Sequence, residues 1–155
     1  MPLLTTSEFD IRTIPKGLRL GGFDVGEKTI GVALSDSLFM VASPLLVIQR
    51  KKWTQDLAII QNLISEYQIY GIVIGLPLNM DGSEGPKCQS VRQVARNLLK
   101  EMDIPLVFWD ERLSTVAVTR TLLEADMSRA KRKDNVDKMA ASFILQGFLD
   151  LKRLT

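Results

Sequence analysis

The sequence predicts an α/β protein built on a five-stranded mixed sheet with helices on both faces. Three observations carry this reading. Three strand-like apolar runs follow one another before residue 50, apolar residues then switch to helical spacing, and short apolar runs alternate with helices to the end, giving βββαβαβαα. The opening runs read as an antiparallel meander and the later strands as crossover units.

Residues 1–17 show no clear periodicity and contain Pro2, Pro15 and Gly17, so they read as an arm, mobile or ordered only on contact, ahead of a single domain over 18–155. Leu18–Val25 and Ile30–Ser35 are the first two strands, joined by a hairpin connection at Gly26-Glu27-Lys28-Thr29. Leu45–Gln49 is the third. Leu57, Ile60, Leu63, Ile64 and Tyr67 then recur at helical spacing, which predicts an amphipathic helix over Thr54–Tyr67. Ile72–Leu76 is a short buried strand stopped by Pro77, and a polar, Gly-rich loop follows from Asn79 to Pro86. Val91, Val94, Ala95, Leu98, Leu99 and Met102 mark a second helix, and Pro105–Trp109 the fifth strand. Ser114 can cap a third helix reaching Glu124. After a basic loop at Arg129, Lys131, Arg132 and Lys133, a final helix runs from Val136 through Leu151.

Composition removes several chemistries. The 155 residues include no histidine, so a Ser-His-Asp triad, a Cys-His dyad and histidine-ligated metal are all excluded. The single cysteine, Cys88, allows neither an internal disulfide nor a thiolate zinc cluster. Catalysis must rest on carboxylates, Lys, Tyr, hydroxyls or a hard metal held by oxygen. The net charge of +2 and a pI near 8.8 suit a polyanionic partner without requiring one. No apolar run is long enough to span a bilayer, and Glu8 and Asp10 sit where a signal peptide would be apolar. A reducing cytoplasm is expected.

Five places could carry chemistry. Asp24 ends an otherwise apolar strand beside Gly21, Gly22 and Gly26, which leave room for a phosphate or another backbone; it equally suits a turn-opening residue. Asp110-Glu111-Arg112 stands at the carboxyl end of a strand, where α/β sheets place ligand sites, although Asp110 and Arg112 could simply pair. Asp137 lies in the first turn of the last helix, where an acid commonly complements the macrodipole. In the Gly75–Pro86 loop, Asn79 or Asp81 could position substrate, but no Gly-Lys-Ser/Thr follows to make a Walker A loop. The run Arg129, Lys131, Arg132, Lys133 is either a solvated loop or a phosphate-holding patch next to Asp137.

Taken together, Asp24–Asp36, Gly75–Pro86, Asp110-Glu111-Arg112-Leu113-Ser114-Thr115 and Val136–Gly147 resemble, in order, the motifs of the YqgF family of pre-16S ribosomal RNA nucleases, also described as Holliday junction resolvase-like proteins. The resemblance spans Leu18 to Leu151. It implies an RNase H-like fold and one acidic cluster of Asp24, Glu111 and Asp137 holding Mg²⁺ or Mn²⁺. Arg112, Ser114 and Thr115 match the family's motif, and with Lys28, Asn79, Asp81, Arg129, Lys131, Arg132 and Lys133 they are the expected substrate contacts. The expected activity is metal-dependent processing of the 5′ end of pre-16S rRNA, free or in ribosomal particles. Two alternatives stand beside it: resolution of branched four-way DNA, which calls for a symmetric dimer, and RNA binding during ribosome assembly without catalysis. A nucleotide phosphate site at the Asp24-Val25-Gly26 hairpin is a weaker option, since the chain lacks a second lobe. The residues leave monomer or homodimer open.

Overall fold

A computed structural model describes residues 3–113 and 129–154, with side chains of 129–137 left aside. Its strands are β1 (Leu3–Leu4), β2 (Arg19–Val25), β3 (Thr29–Ser35), β4 (Ala42–Gln49), β5 (Ile69–Leu76) and β6 (Leu106–Asp110). The helices are α1 (Trp53–Tyr67), α2 (Pro86–Glu101) and α3 (Arg129–Leu154). The strands form one sheet in the order β1-β6-β5-β2-β3-β4; β2, β3 and β4 are antiparallel neighbours, while β5 pairs in parallel with both β2 and β6.

The sheet therefore has six strands rather than the five expected. The sixth comes from the arm: Leu3 and Leu4 pair in parallel with Leu106 and Val107. Phe9 is buried in this segment and meets Phe148 edge-on at 5.6 Å and Tyr70 at 6.4 Å. A two-residue strand and isolated apolar anchors carry no periodicity, which is why the sequence reads as an unstructured arm.

Other boundaries shift for local reasons. The β4 strand begins three residues early and contains Pro44, which an edge strand tolerates because that N–H has no ladder partner to lose. Gln68 closes α1 in the left-handed conformation (φ 54°) with its N–H on the Ile64 carbonyl, so β5 starts at once. Pro86 occupies the first turn of α2, where its missing N–H costs nothing, so this helix starts before its apolar stripe. At the head of α1, Asp56 is buried and accepts from the Lys51 N–H at 2.9 Å. The expected helix over Ser114–Glu124 lies outside the described residues. The basic run 129–133 is not a loop: it forms the first turns of α3, since Lys and Arg are good helix formers and neither Gly nor Pro interrupts them.

Two apolar layers sandwich the sheet. Phe23, Ile72, Ile74 and Leu106 pack against α1 and α2, whereas Leu20, Val73, Val107 and Trp109 pack against α3. The strand period of two places Leu20, Gly22 and Asp24 on the α3 face of β2. A Cβ at Gly22 would lie 2.7 Å from the Leu145 Cβ and 2.9 Å from the Ala141 carbonyl oxygen, so this glycine lets the α3 backbone lie against the sheet. The space foreseen near Asp24 for a phosphate or another backbone is taken, at Gly22, by the helix.

Candidate active site

Parallel strands β2, β5 and β6 end together, and the site is built at that end. Phe23 pairs with Ile74, which sets Asp24 beside Gly75; Gly75 pairs with Trp109, and Leu76 with Asp110. Asp24 is 5% exposed and ends its strand on the α3 face. Glu111 opens a 3-10 turn, Glu111–Leu113, directly after β6. A Cβ at Gly75 would lie 2.7 Å from Glu111 Oε2, so the carboxylate reaches over β5 toward Asp24. Two acids from distant parts of the sequence thus line one cleft at the end of the sheet.

Both line a cleft of about 710 Å³ together with the β2–β3 turn (Gly26, Glu27, Lys28, Thr29), Pro77, and Pro86, Lys87 and Ser90 at the start of α2. Lys28 stands on one wall and Lys87 on the other. The turn is held by the Gly26 N–H on the Thr29 carbonyl (2.8 Å) and by Arg50, whose Nη1 donates to the Gly26 carbonyl at 2.6 Å. Lys87 and Ser90 were missed in the sequence. Their only signal is position, in the first turns of a helix whose true start was hidden upstream of its apolar stripe.

The remaining candidates divide. Arg112 donates from Nε and Nη2 to Asp110 Oδ1 (3.0 Å) and Oδ2 (2.7 Å), and from Nη1 to the Met80 carbonyl at 3.2 Å. The guanidinium beside Asp110 holds that carboxyl below the ordinary carboxylate range. Asn79 and Asp81 both turn onto Ser83: Asn79 Nδ2 donates to Ser83 Oγ (2.9 Å), and Ser83 N and Oγ donate to Asp81 Oδ1 (2.9 and 2.6 Å). Gly82 completes that loop with φ +88°. Glu84 forks onto Arg92 at 2.6 and 2.7 Å, and the Arg92 guanidinium stacks 4.9 Å over Phe108. Trp109 is a packing residue, buried against Gly147.

Ser114 and Thr115 lie outside the described residues. Arg129, Lys131, Arg132, Lys133 and Asp137 belong to α3, and only their backbone is described. The placement of α3 is informative nonetheless. Ala141 and Leu145 lie over Gly22, and Ile144 lies over Gly75. Toward its C-terminus, the Gln146 side chain accepts from Ala42 N and donates to the Met40 carbonyl, at the opposite end of the sheet. The helix therefore runs with its N-terminal half toward the ends of β2 and β5. Asp137 precedes Ala141 by four residues and Ile144 by seven, which is the same helical face. Among the described residues, no three acidic, cysteine or histidine side chains gather to hold a metal. Of the three acids expected to cluster, Asp24 and Glu111 are the two whose side chains are described, and both line the cleft.

Residues 18–151 match the family described as RuvX, Holliday junction resolvase. Among curated relatives, a protein named "Putative pre-16S rRNA nuclease" from Paramagnetospirillum magneticum is 52% identical over 150 residues, covering 97% of this chain and 96% of its own. One of the same name from Zymomonas mobilis is 56% identical over 137 residues, covering 88% and 83%. Among solved structures, Thermus thermophilus RuvC in complex with a Holliday junction substrate superposes with a TM-score of 0.52 at 10% identity, covering 86% of this chain and 96% of that one. The yeast mitochondrial Holliday junction resolvase Ydc2 does so with a TM-score of 0.50 at 12% identity, covering 92% and 82%. At such identities the likeness is one of fold: a mixed sheet flanked by helices, of the RNase H-like kind.

Proposed function

The chain belongs to the RuvX family, and from that membership we propose that it is a phosphodiester hydrolase that processes the 5′ end of precursor 16S ribosomal RNA. The observation that carries the reading is that Asp24 and Glu111 line one cleft beside Gly75, with Lys28 and Lys87 on its walls. Acids flanked by cations are what phosphodiester cleavage requires: the cations hold the backbone and the acids hold a metal. We read residues 18–155 as one nuclease domain to which the arm contributes an edge strand.

The donor set fits a hard divalent cation. Two carboxylates packed together repel one another, and a cation between them is what lets both stay ionised. No imidazole exists in the chain, and burial pushes the Cys88 thiol above its ordinary range, so it stays protonated and offers no thiolate. Mg²⁺ or Mn²⁺ held by Asp24, Glu111 and Asp137 is the reading; Asp137 stands four and seven residues before Ala141 and Ile144, which cover Gly22 and Gly75, and that spacing supports it. When bound, such a cation supplies Lewis-acid charge to the phosphate under attack. Lys28 and Lys87 seat the flanking phosphates, and the basic first turns of α3 extend that track. No helix among the described residues is long and apolar enough to cross a membrane, in keeping with work on cytoplasmic RNA.

A second reading, four-way DNA junction resolution, is favoured by the family's description. One assay separates them: purified protein with an RNA carrying the precursor's 5′ extension, and with a four-way DNA junction, each with Mn²⁺ and with chelator. The expected outcome is RNA cutting that disappears with chelator and an intact junction. Junction cutting alone would transfer the assignment to DNA, and salt-sensitive RNA binding without cutting would make the protein an assembly factor.

A further inference from the structure

The Asp-x-Arg unit that brackets Glu111 occurs twice in this chain, and the second copy shows what the first is for. At Asp110-Glu111-Arg112, the Arg112 N–H donates to Asp110 Oδ1 at 2.9 Å, Nε to the same oxygen at 3.0 Å, and Nη2 to Oδ2 at 2.7 Å. At Asp10-Ile11-Arg12, in the arm, the Arg12 N–H donates to Asp10 Oδ1 at 2.9 Å, Nε to Oδ1 at 3.0 Å, and Nη2 to Oδ2 at 3.1 Å. Each copy opens a three-residue 3-10 turn, Ile11–Thr13 in one case and Glu111–Leu113 in the other.

In the arm the residue between Asp and Arg is an isoleucine, and none of the three lines the acidic cleft. The unit therefore forms with neither metal nor substrate to organise it. It is a local clamp: the Asp carboxylate satisfies the backbone N–H two residues on, and the planar guanidinium fork closes over both its oxygens. Whatever residue stands between is presented at a set angle. At the strand end, that residue is Glu111.

The two copies differ in one respect. Arg12 is an exposed side chain, whereas Arg112 also donates through Nη1 to the Met80 carbonyl and lies 3.4 Å from where a Cβ on Gly82 would be. Met80 and Gly82 belong to the β5–α2 loop, which Asn79, Asp81 and Ser83 tie into a unit of its own. Arg112 thus joins that loop to the turn bearing Glu111.

We propose that Asp110 and Arg112 are positioning residues, a clamp that orients Glu111 and hooks the 77–85 loop to the end of β6, and that Arg112 does not contact substrate phosphate. The catalytic part of this rests on the nuclease reading; the mechanical part does not, and the test keeps them apart. Arg112→Lys, Asp110→Asn, the double variant and Arg12→Lys are compared in hydrogen exchange and in RNA cleavage. The exposed Arg-to-Lys change retains charge but loses the fork. In exchange, amides of 78–85 open several-fold faster in both single variants and are unchanged in Arg12→Lys; unchanged exchange in Arg112→Lys overturns the clamp whether or not the protein cuts RNA. In cleavage, kcat falls roughly 10- to 100-fold, as expected for a displaced catalytic group, while KM stays within about twofold. The double variant is no worse than either single, as residues of one unit behave. A raised KM with kcat preserved would make Arg112 a phosphate contact and overturn the proposal. A wild-type protein that cuts no RNA refutes the nuclease reading and leaves the exchange result to decide the clamp.

Discussion

At Gly75 the backbone of β5 lies against the carboxylate of Glu111, which the turn after β6 supplies, and a side chain there meets close neighbours. Alanine would set its Cβ 2.7 Å from Glu111 Oε2 and closer still to Ile144 Cδ1. Both are ends of flexible side chains, so the fold can yield, at an overpacking cost of roughly 1–3 kcal/mol. The displaced group is the proposed metal-binding carboxylate. Gly75→Ala is therefore expected to remain folded, with a modest loss in denaturant unfolding, and to lose cleavage by at least about tenfold, since catalytic groups tolerate little misplacement. Wild-type turnover in a folded Gly75→Ala protein would show that Glu111 need not sit where it does. From the sequence, this glycine reads only as part of a flexible loop; its partner, Glu111, lies 36 positions away, and only the β5–β6 pairing brings them together.

At the scale of elements, the β3–β4 hairpin shows how a connection far from the cleft is made. Asp36 ends β3 and its Oδ1 accepts from the Met40 N–H (2.7 Å) and the Val41 N–H (3.0 Å). Burial alone would raise its pKa, but those amides outweigh it and hold the carboxyl below its ordinary 3.8. A carboxylate whose pKa is lower folded than unfolded stabilises above the unfolded value and loses that contribution as pH falls through the folded one. Asp36→Asn should cost roughly 1 kcal/mol at pH 7, and the gap to wild type should begin to narrow below about pH 3.8, closing as pH falls through the lower pKa of the folded carboxyl. Urea unfolding at neutral and acid pH checks this, and a gap independent of pH would refute it. Elements with a clear period were legible: α1 and the cores of β2, β3 and β5 appear where their spacing sets them. What escaped was set by other forces. The strand β1 exists because β6 offers an edge, and the basic start of α3 is helical through propensity and continuity with an apolar helix, where charge reads as loop.

Across the whole molecule, the site is a product of topology. Of the acids proposed for it, Asp24 comes from the middle of the sheet, Glu111 from the end of the strand two places away, and Asp137 from the helix that covers Gly22 and Gly75. No spacing rule in the sequence links residues 24, 111 and 137; only the resemblance of four ordered motifs to a nuclease family did so. Composition was decisive in a different way, because a chain without histidine and with one buried cysteine leaves oxygen as the ligand for any metal. Asn79, Asp81 and Arg112 are expected substrate contacts from the sequence, where polar residues in a Gly-rich loop and at a strand end look alike whether or not they also hold one another. Their side chains bind Ser83, Asp110 and the Met80 carbonyl. The central claim, that the three acids form one metal-holding cluster, is tested most directly by a crystal structure of the protein grown with Mn²⁺ and measured for manganese anomalous scattering. The expected result is a peak bounded by carboxylate oxygens of Asp24, Glu111 and Asp137 at about 2.1 Å, the distance small divalent cations take to oxygen. A peak elsewhere, or one with Asp137 turned away from Asp24 and Glu111, would contradict it.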